Sequence, residues 1–211
     1  AQNTMASWYR DSKYGIKQSY VMAAMLYEKA VAQGDPGAMY GLALLYDHGQ
    51  GVVQSFKKVV ELYTMAAEQG HVKAMFNLAL SYRAGQGVEQ SDEKAAEFYT
   101  MAAERGHAKA IYYLGTLYRD GQGVVQSSEK AVELYTMAAE QEGQVIAMVS
   151  LGALYFRGQG VEQSNASARE WWTKAANERN ENAIENLKIL DQQERECKRL
   201  KAAAEAEAEK K

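Results

Sequence analysis

The tetrapeptide Gly85-Gln86-Gly87-Val88 decides the fold, because it occurs four times along the chain. The copies begin at positions 49, 85, 121 and 158, which are spaced by 36, 36 and 37 residues. A fixed period of a few tens of residues is typical of a solenoid, in which each unit buries its apolar face against the next. We therefore predict one continuous repetitive core over most of the 211 residues.

Each repeat contains a first helix, called helix A, that ends at the tetrapeptide. In one repeat the apolar and small residues Ala74, Leu78, Ala79 and Tyr82 are spaced so that they share one face of a helix. Gly85 follows the last turn, where a left-handed backbone favours glycine. The pattern predicts helix A over residues 73–84 of this repeat.

A second helix, called helix B, follows the tetrapeptide. Ser91 is a good N-cap, and Asp92 and Glu93 favour the first turn through the helix dipole. The predicted buried stripe of this helix consists of Ala95, Phe98, Tyr99, Ala102 and Ala103. Extending the same register to both ends predicts an all-α protein of five helix pairs and a final helix, eleven helices in total.

Composition excludes several classes of function. The formal net charge of −3 argues against binding to a nucleic-acid backbone, and no apolar stretch approaches the roughly 18 residues of a membrane span. Residues 1–20 show no signal peptide, which leaves open a signal peptide that has been removed. The chain starts on a core position of the repeat, from which we expect a trimmed N-terminus. Cys197 is the only cysteine, which is compatible with a reducing compartment and leaves the localisation unknown.

The recurring residues resemble the Sel1-like repeat (SLR) family, which is related to the tetratricopeptide repeat. They read Ala-x-x-x-Leu-Gly/Ala-x-x-Tyr, then Gly-x-Gly-Val, then Ala-x-x-Phe/Leu-Tyr-x-x-Ala-Ala with a closing glycine. The resemblance covers residues 1–190 and implies a right-handed superhelix of antiparallel helix pairs. It also implies a non-catalytic scaffold or adaptor in protein–protein interactions. Some secreted members carry a disulfide in every repeat, from which this chain departs.

Two stretches depart from the repeat pattern. The repeat that begins at Ala110 is one residue longer, and Glu142 is the simplest place for the extra residue, where we expect altered curvature and the end of a binding surface. Residues 191–211 are rich in Glu, Lys, Arg, Gln and Ala and predict a charged helical extension. A seven-residue spacing in this region leaves weak self-association open, at Leu190, Cys197 and Ala204.

In this family helix A lines the concave side, and the spacing indicates which side chains point there. We call nine of these residues the helix A site and predict that they bind the partner: Tyr40, Lys73, Phe76, Leu80, Arg83, Lys109, Tyr112, Thr116 and Arg119. An apolar floor with basic edges suits a peptide that carries acidic residues. The alternative is that Tyr40 and its equivalents pack between helices and that the charges are ordinary surface.

The sequence contains no recognisable catalytic or metal-binding motif. The sequence contains no nucleophile elbow, no pair of histidines at helical spacing and no Cys/His arrangement, so we predict no enzyme, metal or cofactor. His71 and His107 recur one repeat apart, but equivalent atoms in stacked helices lie roughly 10 Å apart, which favours turn residues over metal ligands.

The sequence leaves open two ways in which the protein interacts with its partner. We expect a monomer that binds a protein or peptide, and the alternative is a structural subunit of a larger assembly, bound through its outer helices or C-terminal helix. Helix B also carries lysines near glutamates, which we interpret as ordinary surface charges that keep the protein soluble and contribute little to stability. The lysines are Lys58, Lys94 and Lys130, and the glutamates are Glu61, Glu97 and Glu133.

Overall fold

The computed structural model describes residues 1–141 and 144–208. Within these ranges the chain forms eleven α-helices and no strand, which confirms the predicted number and class. The helices are α1 Gln2–Asp11, α2 Tyr20–Val31, α3 Pro36–His48, α4 Phe56–Glu68, α5 Val72–Ala84, α6 Asp92–Ala103, α7 Ala108–Asp120, α8 Ser128–Ala139, α9 Val145–Arg157, α10 Asn165–Asn177 and α11 Glu181–Ala208. The odd-numbered helices are helix A of their repeats and the even-numbered helices are helix B.

The chain divides into two compact units, Ala1–Gln126 with α1–α7 and Ser127–Lys211 with α8–α11. Inside each unit, every helix packs against the next one along the chain. Among the helices that the structure describes, none is long and apolar enough to cross a membrane. The insertion predicted near Glu142 lies outside the described residues.

Helix B begins at a serine in every repeat. The side-chain oxygen of Ser91 accepts a hydrogen bond from the Lys94 N–H at 3.2 Å, which satisfies a backbone donor that the helix itself leaves unpaired. The same cap is made by Ser19, Ser55, Ser127 and Ser164. These caps fix where each second helix starts, as the sequence predicts.

The tetrapeptide joins helix A to helix B and also touches the repeat before it. Its first glycine ends helix A in the left-handed conformation, with φ of 65° at Gly85. Its second glycine, Gly87, also has a positive φ of 77°, and a Cβ there would overlap the carbonyl group of Phe56 at the start of α4. The backbone of the loop therefore lies directly on the preceding helix B, which explains why the position is glycine in all four copies.

A glutamine that follows the tetrapeptide by two residues closes the same loop at Gln54, Gln126 and Gln163. The Nε2 atoms of Gln54 and Gln126 donate to the carbonyls of Asp47 and Arg119 at 2.6 and 2.8 Å. In the second unit Gln163 donates to the Phe156 carbonyl at 2.9 Å. The side chain thus satisfies a carbonyl near the end of helix A that the helix leaves free.

The second unit is built around Trp172. This side chain is 3% exposed and donates its indole N–H to the Val149 carbonyl at 3.1 Å. A Cβ at Gly152 would meet the indole nitrogen, so the predicted small residue beside the leucine does allow the close approach of a second helix. Leu190 is fully buried in the same cluster, and a residue packed in its own core is not available for self-association.

Candidate partner-binding site

The floor of the helix A site consists of aromatic side chains that also join consecutive repeats. Tyr40 stacks on His71 with ring centroids 4.8 Å apart, and Phe76 stacks on His107 at 4.6 Å. Both aromatic rings are half-buried. These two side chains therefore pack between repeats, as in the alternative reading, while part of each ring stays at the surface.

Tyr113 belongs to the same floor, although sequence reasoning missed it. Its ring stacks on Tyr99 at 5.6 Å and lies 5.7 Å from Phe76 and 5.5 Å from Tyr112. The guanidinium carbon of Arg83 lies 5.8 Å from the centroid of the Tyr113 ring, within the range of a cation–π contact. The equivalent residues of the neighbouring repeats are Gly41, Asn77 and Ser150, so the repeat pattern carries no signal for an aromatic residue here.

Leu80 and Thr116, which occupy equivalent positions of α5 and α7 in the helix A site, differ in exposure. Leu80 is half-buried and contributes apolar surface to the site. Thr116 is only 9% exposed, and its hydroxyl donates to the Tyr112 carbonyl at 3.2 Å. Thr116 therefore lies beneath the surface of the site, and Leu80 is the residue of the two that a partner could touch.

The basic edges of the site are unequal. Lys73 and Lys109 are exposed and form no ion pair with another described residue. Arg119 binds both carboxylate oxygens of Asp120, at 2.7 and 2.8 Å, and this contact lowers the pKa of Asp120. Most of the uncompensated positive charge of the site is therefore carried by Lys73, Lys109 and Arg83.

A depression of about 660 Å³ extends the site toward the first repeat. Tyr40, Leu44 and Lys73 line it on the side of the predicted residues. On the opposite side Arg10 binds both carboxylate oxygens of Asp11, at 2.6 and 3.0 Å, so this arginine is already neutralised. The depression has room for a side chain or short segment of a ligand, and Lys73 is its unpaired cation.

His71 and His107 have a defined structural role, which confirms their interpretation as turn residues. Each caps a helix A, because its Nδ1 atom accepts the N–H of Ala74 or Ala110 at 3.2 Å. An accepting Nδ1 must be unprotonated, so both rings are neutral in this arrangement. Burial lowers the pKa of both histidines, and the positive charge of Lys73 lowers it further. Among the described residues, no group of three or more His, Cys, Asp or Glu is placed to hold a metal ion.

These caps predict a pH-dependent stability. The folded pKa of each histidine lies below the ordinary value of 6.5, so the unfolded chain binds more protons once the pH falls toward that value. The stabilisation is fully present above about pH 7.5 and is lost as the pH falls through 6.5 toward the folded pKa. Urea unfolding followed by circular dichroism between about pH 7.5 and 5 should show this decrease.

The control is the double variant His71→Asn and His107→Asn. Asparagine caps helices well and does not titrate, although it loses the ring stacking. We expect a lower stability at neutral pH and a flatter dependence on pH in this window. An unchanged slope in the variant would show that other groups cause the decrease.

Helix pairs repeated at a 36-residue period, with caps and loops in register, define the chain as an α-solenoid. It matches the Sel1 repeat family model over residues 1–35, 36–71, 72–107, 108–142 and 145–180. The protein therefore belongs to the Sel1 repeat family. Members of this family are generally scaffolds for protein interaction without enzymatic activity.

Solved structures support the same assignment. The protective antigen c5321 of uropathogenic Escherichia coli, which displays an SLR fold, is 28% identical with a TM-score of 0.83, over 86% of this chain and 38% of that one. A Sel1 repeat protein from Oxalobacter formigenes is 30% identical with a TM-score of 0.79, and the match covers 87% of this chain and 72% of that protein. The immunity protein PA5088 from Pseudomonas aeruginosa is 26% identical with a TM-score of 0.51, and the match covers 86% of this chain and 67% of that protein.

The length of the match differs among these proteins, and the chain spans 38% of the length of the E. coli antigen. A search of curated proteins returned no match.

Proposed function

We propose that the protein is a non-catalytic adaptor that binds a peptide or protein segment through the helix A site. The observation that carries this proposal is the combination of unpaired cations with partly exposed apolar side chains on α3, α5 and α7. Lys73 and Lys109 are exposed and Phe76 and Leu80 are half-buried, while Arg83 lies over the ring of Tyr113. Aromatic and arginine side chains provide much of the binding energy in protein interfaces.

The charges of the site favour a partner that carries acidic residues. The two exposed lysines recur 36 residues apart, at the first turn of α5 and of α7. A segment that runs across these helices could place one carboxylate near each lysine and apolar side chains on the floor between them. Such complementary charges raise the rate of association and exclude basic competitors.

Charge reversal tests this proposal. The variant Lys73→Glu, Arg83→Glu and Lys109→Glu and the unchanged chain would each capture partners from a native extract, with captured proteins quantified by mass spectrometry. We expect the unchanged chain to capture at least one protein whose captured amount falls roughly tenfold or more with the variant. The reason is that like charges then face each other across the interface. The binding segment of that protein should be acidic.

The matched control is Lys17→Glu, Lys29→Glu and Lys57→Glu, which changes the net charge equally at exposed positions outside the site. This variant should capture the same partner as the unchanged chain, and circular dichroism should show equal helicity for all three proteins. If the site variant captures every partner equally well, the helix A site is not where recognition occurs. Co-purification with one large partner at fixed stoichiometry would then favour the structural subunit.

A further inference from the structure

The B helices carry a second recurring set of side chains. Met65, Met101 and Met137 occupy the same position of α4, α6 and α8, and they are 42% exposed, half-buried and 51% exposed. A glutamate precedes each methionine by four residues and another follows it by three, which places all of them on one helix face. These glutamates are Glu61 and Glu68, Glu97 and Glu104, and Glu133 and Glu140.

Two of the neighbouring lysines, Lys58 and Lys94, form no ion pair with these glutamates. Lys58 donates its Nζ to the Tyr46 hydroxyl at 3.0 Å and lies 4.6 Å from the centroid of that ring. Lys94 lies 5.1 Å from the centroid of the Tyr82 ring. Both lysines turn toward tyrosines of helix A, and no ion pair to a described residue forms at the glutamates beside Met65 and Met101.

In the first unit this surface forms a groove of about 550 Å³ between α6 and the loop after α7. We call it the helix B groove. Its floor is apolar, with Ala96, Met101 and Val124, and its acidic wall consists of Glu93, Glu97 and Glu104. The loop reaches α6 because Gly123 lies against the backbone of Asp92, the same contact that each tetrapeptide makes with the preceding repeat.

We propose that the helix B groove binds a basic amphipathic segment of a partner protein. Methionine is flexible and polarisable, so it adapts to apolar side chains of different shapes. The carboxylates on the wall form no ion pair with a described residue and then select lysine or arginine on the same segment. This surface is separate from the helix A site and has the opposite charge preference, so an adaptor of this kind joins an acidic segment to a basic one.

The experiment follows methionine methyl resonances by NMR, with ¹³C-methyl labelling of the full chain. The probe is a synthetic amphipathic peptide of leucine and lysine, about 14 residues or four helical turns long. We expect the Met101 methyl signal to shift saturably with added probe, whereas the signal of Met25, which is 48% exposed on α2, stays in place. A peptide of leucine and glutamate should shift neither signal.

The variant Glu97→Gln and Glu104→Gln tests the acidic wall and should raise the dissociation constant read at Met101 roughly tenfold. Its control is Glu89→Gln and Glu162→Gln, which removes the same charge from exposed loops and should change the constant less than about twofold. The proposal is overturned if Met25 and Met101 shift alike, or if the two variants bind the probe equally. Neither result affects the helix A site, which takes probes of the opposite charge.

Discussion

Replacement of Gly87 by alanine is expected to lower the free energy of unfolding by about 3 kcal/mol or more. Gly87 has a φ of 77°, which costs an alanine about 1–2 kcal/mol. The added methyl group would also overlap the Phe56 carbonyl, and this is helix backbone that cannot rotate away. The contact joins two repeats, so the substitution should weaken their stacking and not only the loop. Urea unfolding followed by circular dichroism measures the change.

Gly70→Ala is the matched control for this prediction. Gly70 has a φ of 83°, close to that of Gly87, but a Cβ there has no heavy atom within 4 Å. The control therefore carries the backbone cost of about 1–2 kcal/mol without the overlap. Equal losses in the two variants would mean that the loop does not depend on its contact with the preceding helix.

Replacement of Trp172 by alanine is expected to cost about 3–5 kcal/mol in the free energy of unfolding. The indole is 3% exposed and fills the space between the helices of the second unit. Its removal leaves a cavity and also deprives the Val149 carbonyl of its indole donor. Gly152 is small because the ring lies against it, so no neighbouring side chain at that position can fill the gap.

The adjacent Trp171 provides the control. Its side chain is half-buried, and the Nζ atom of Lys174 lies 4.2 Å from the centroid of its ring. Trp171→Ala should cost only about 1 kcal/mol, because an exposed cation–π contact contributes about 0.5–1 kcal/mol. A loss at Trp172 no greater than the loss at Trp171 would contradict the packing described for this unit.

Most of the fold could be predicted from the sequence, because the repeat reports each position several times. Ser91 was predictable as a cap and Gly85 as a helix end, and both have these roles. The contact of Gly87 with the preceding helix was not predictable, since a glycine in a loop shows that the backbone is unusual but not what lies beside it. The capping role of His71 was also hidden, because histidine is not among the preferred N-cap residues.

The candidate site was predictable only in outline. Helical spacing predicts Phe76 as a residue of the helix A site, but it could not show that the ring stacks on His107 of the next repeat. Tyr113 was missed because its position varies between repeats. The hydrogen bond from Lys58 to the Tyr46 hydroxyl was not predictable, because a long flexible side chain can reach either helix.

Site-specific photo-crosslinking can determine whether an acidic partner binds at the helix A site. A diazirine analogue of lysine would replace Lys73 in one protein and Lys57 in another. Both positions are exposed, and Lys57 lies on α4 outside the site. We expect the partner lost on charge reversal to crosslink from position 73 and not from position 57. Crosslinking from position 57 alone would contradict this expectation and would place that partner on the outer helices.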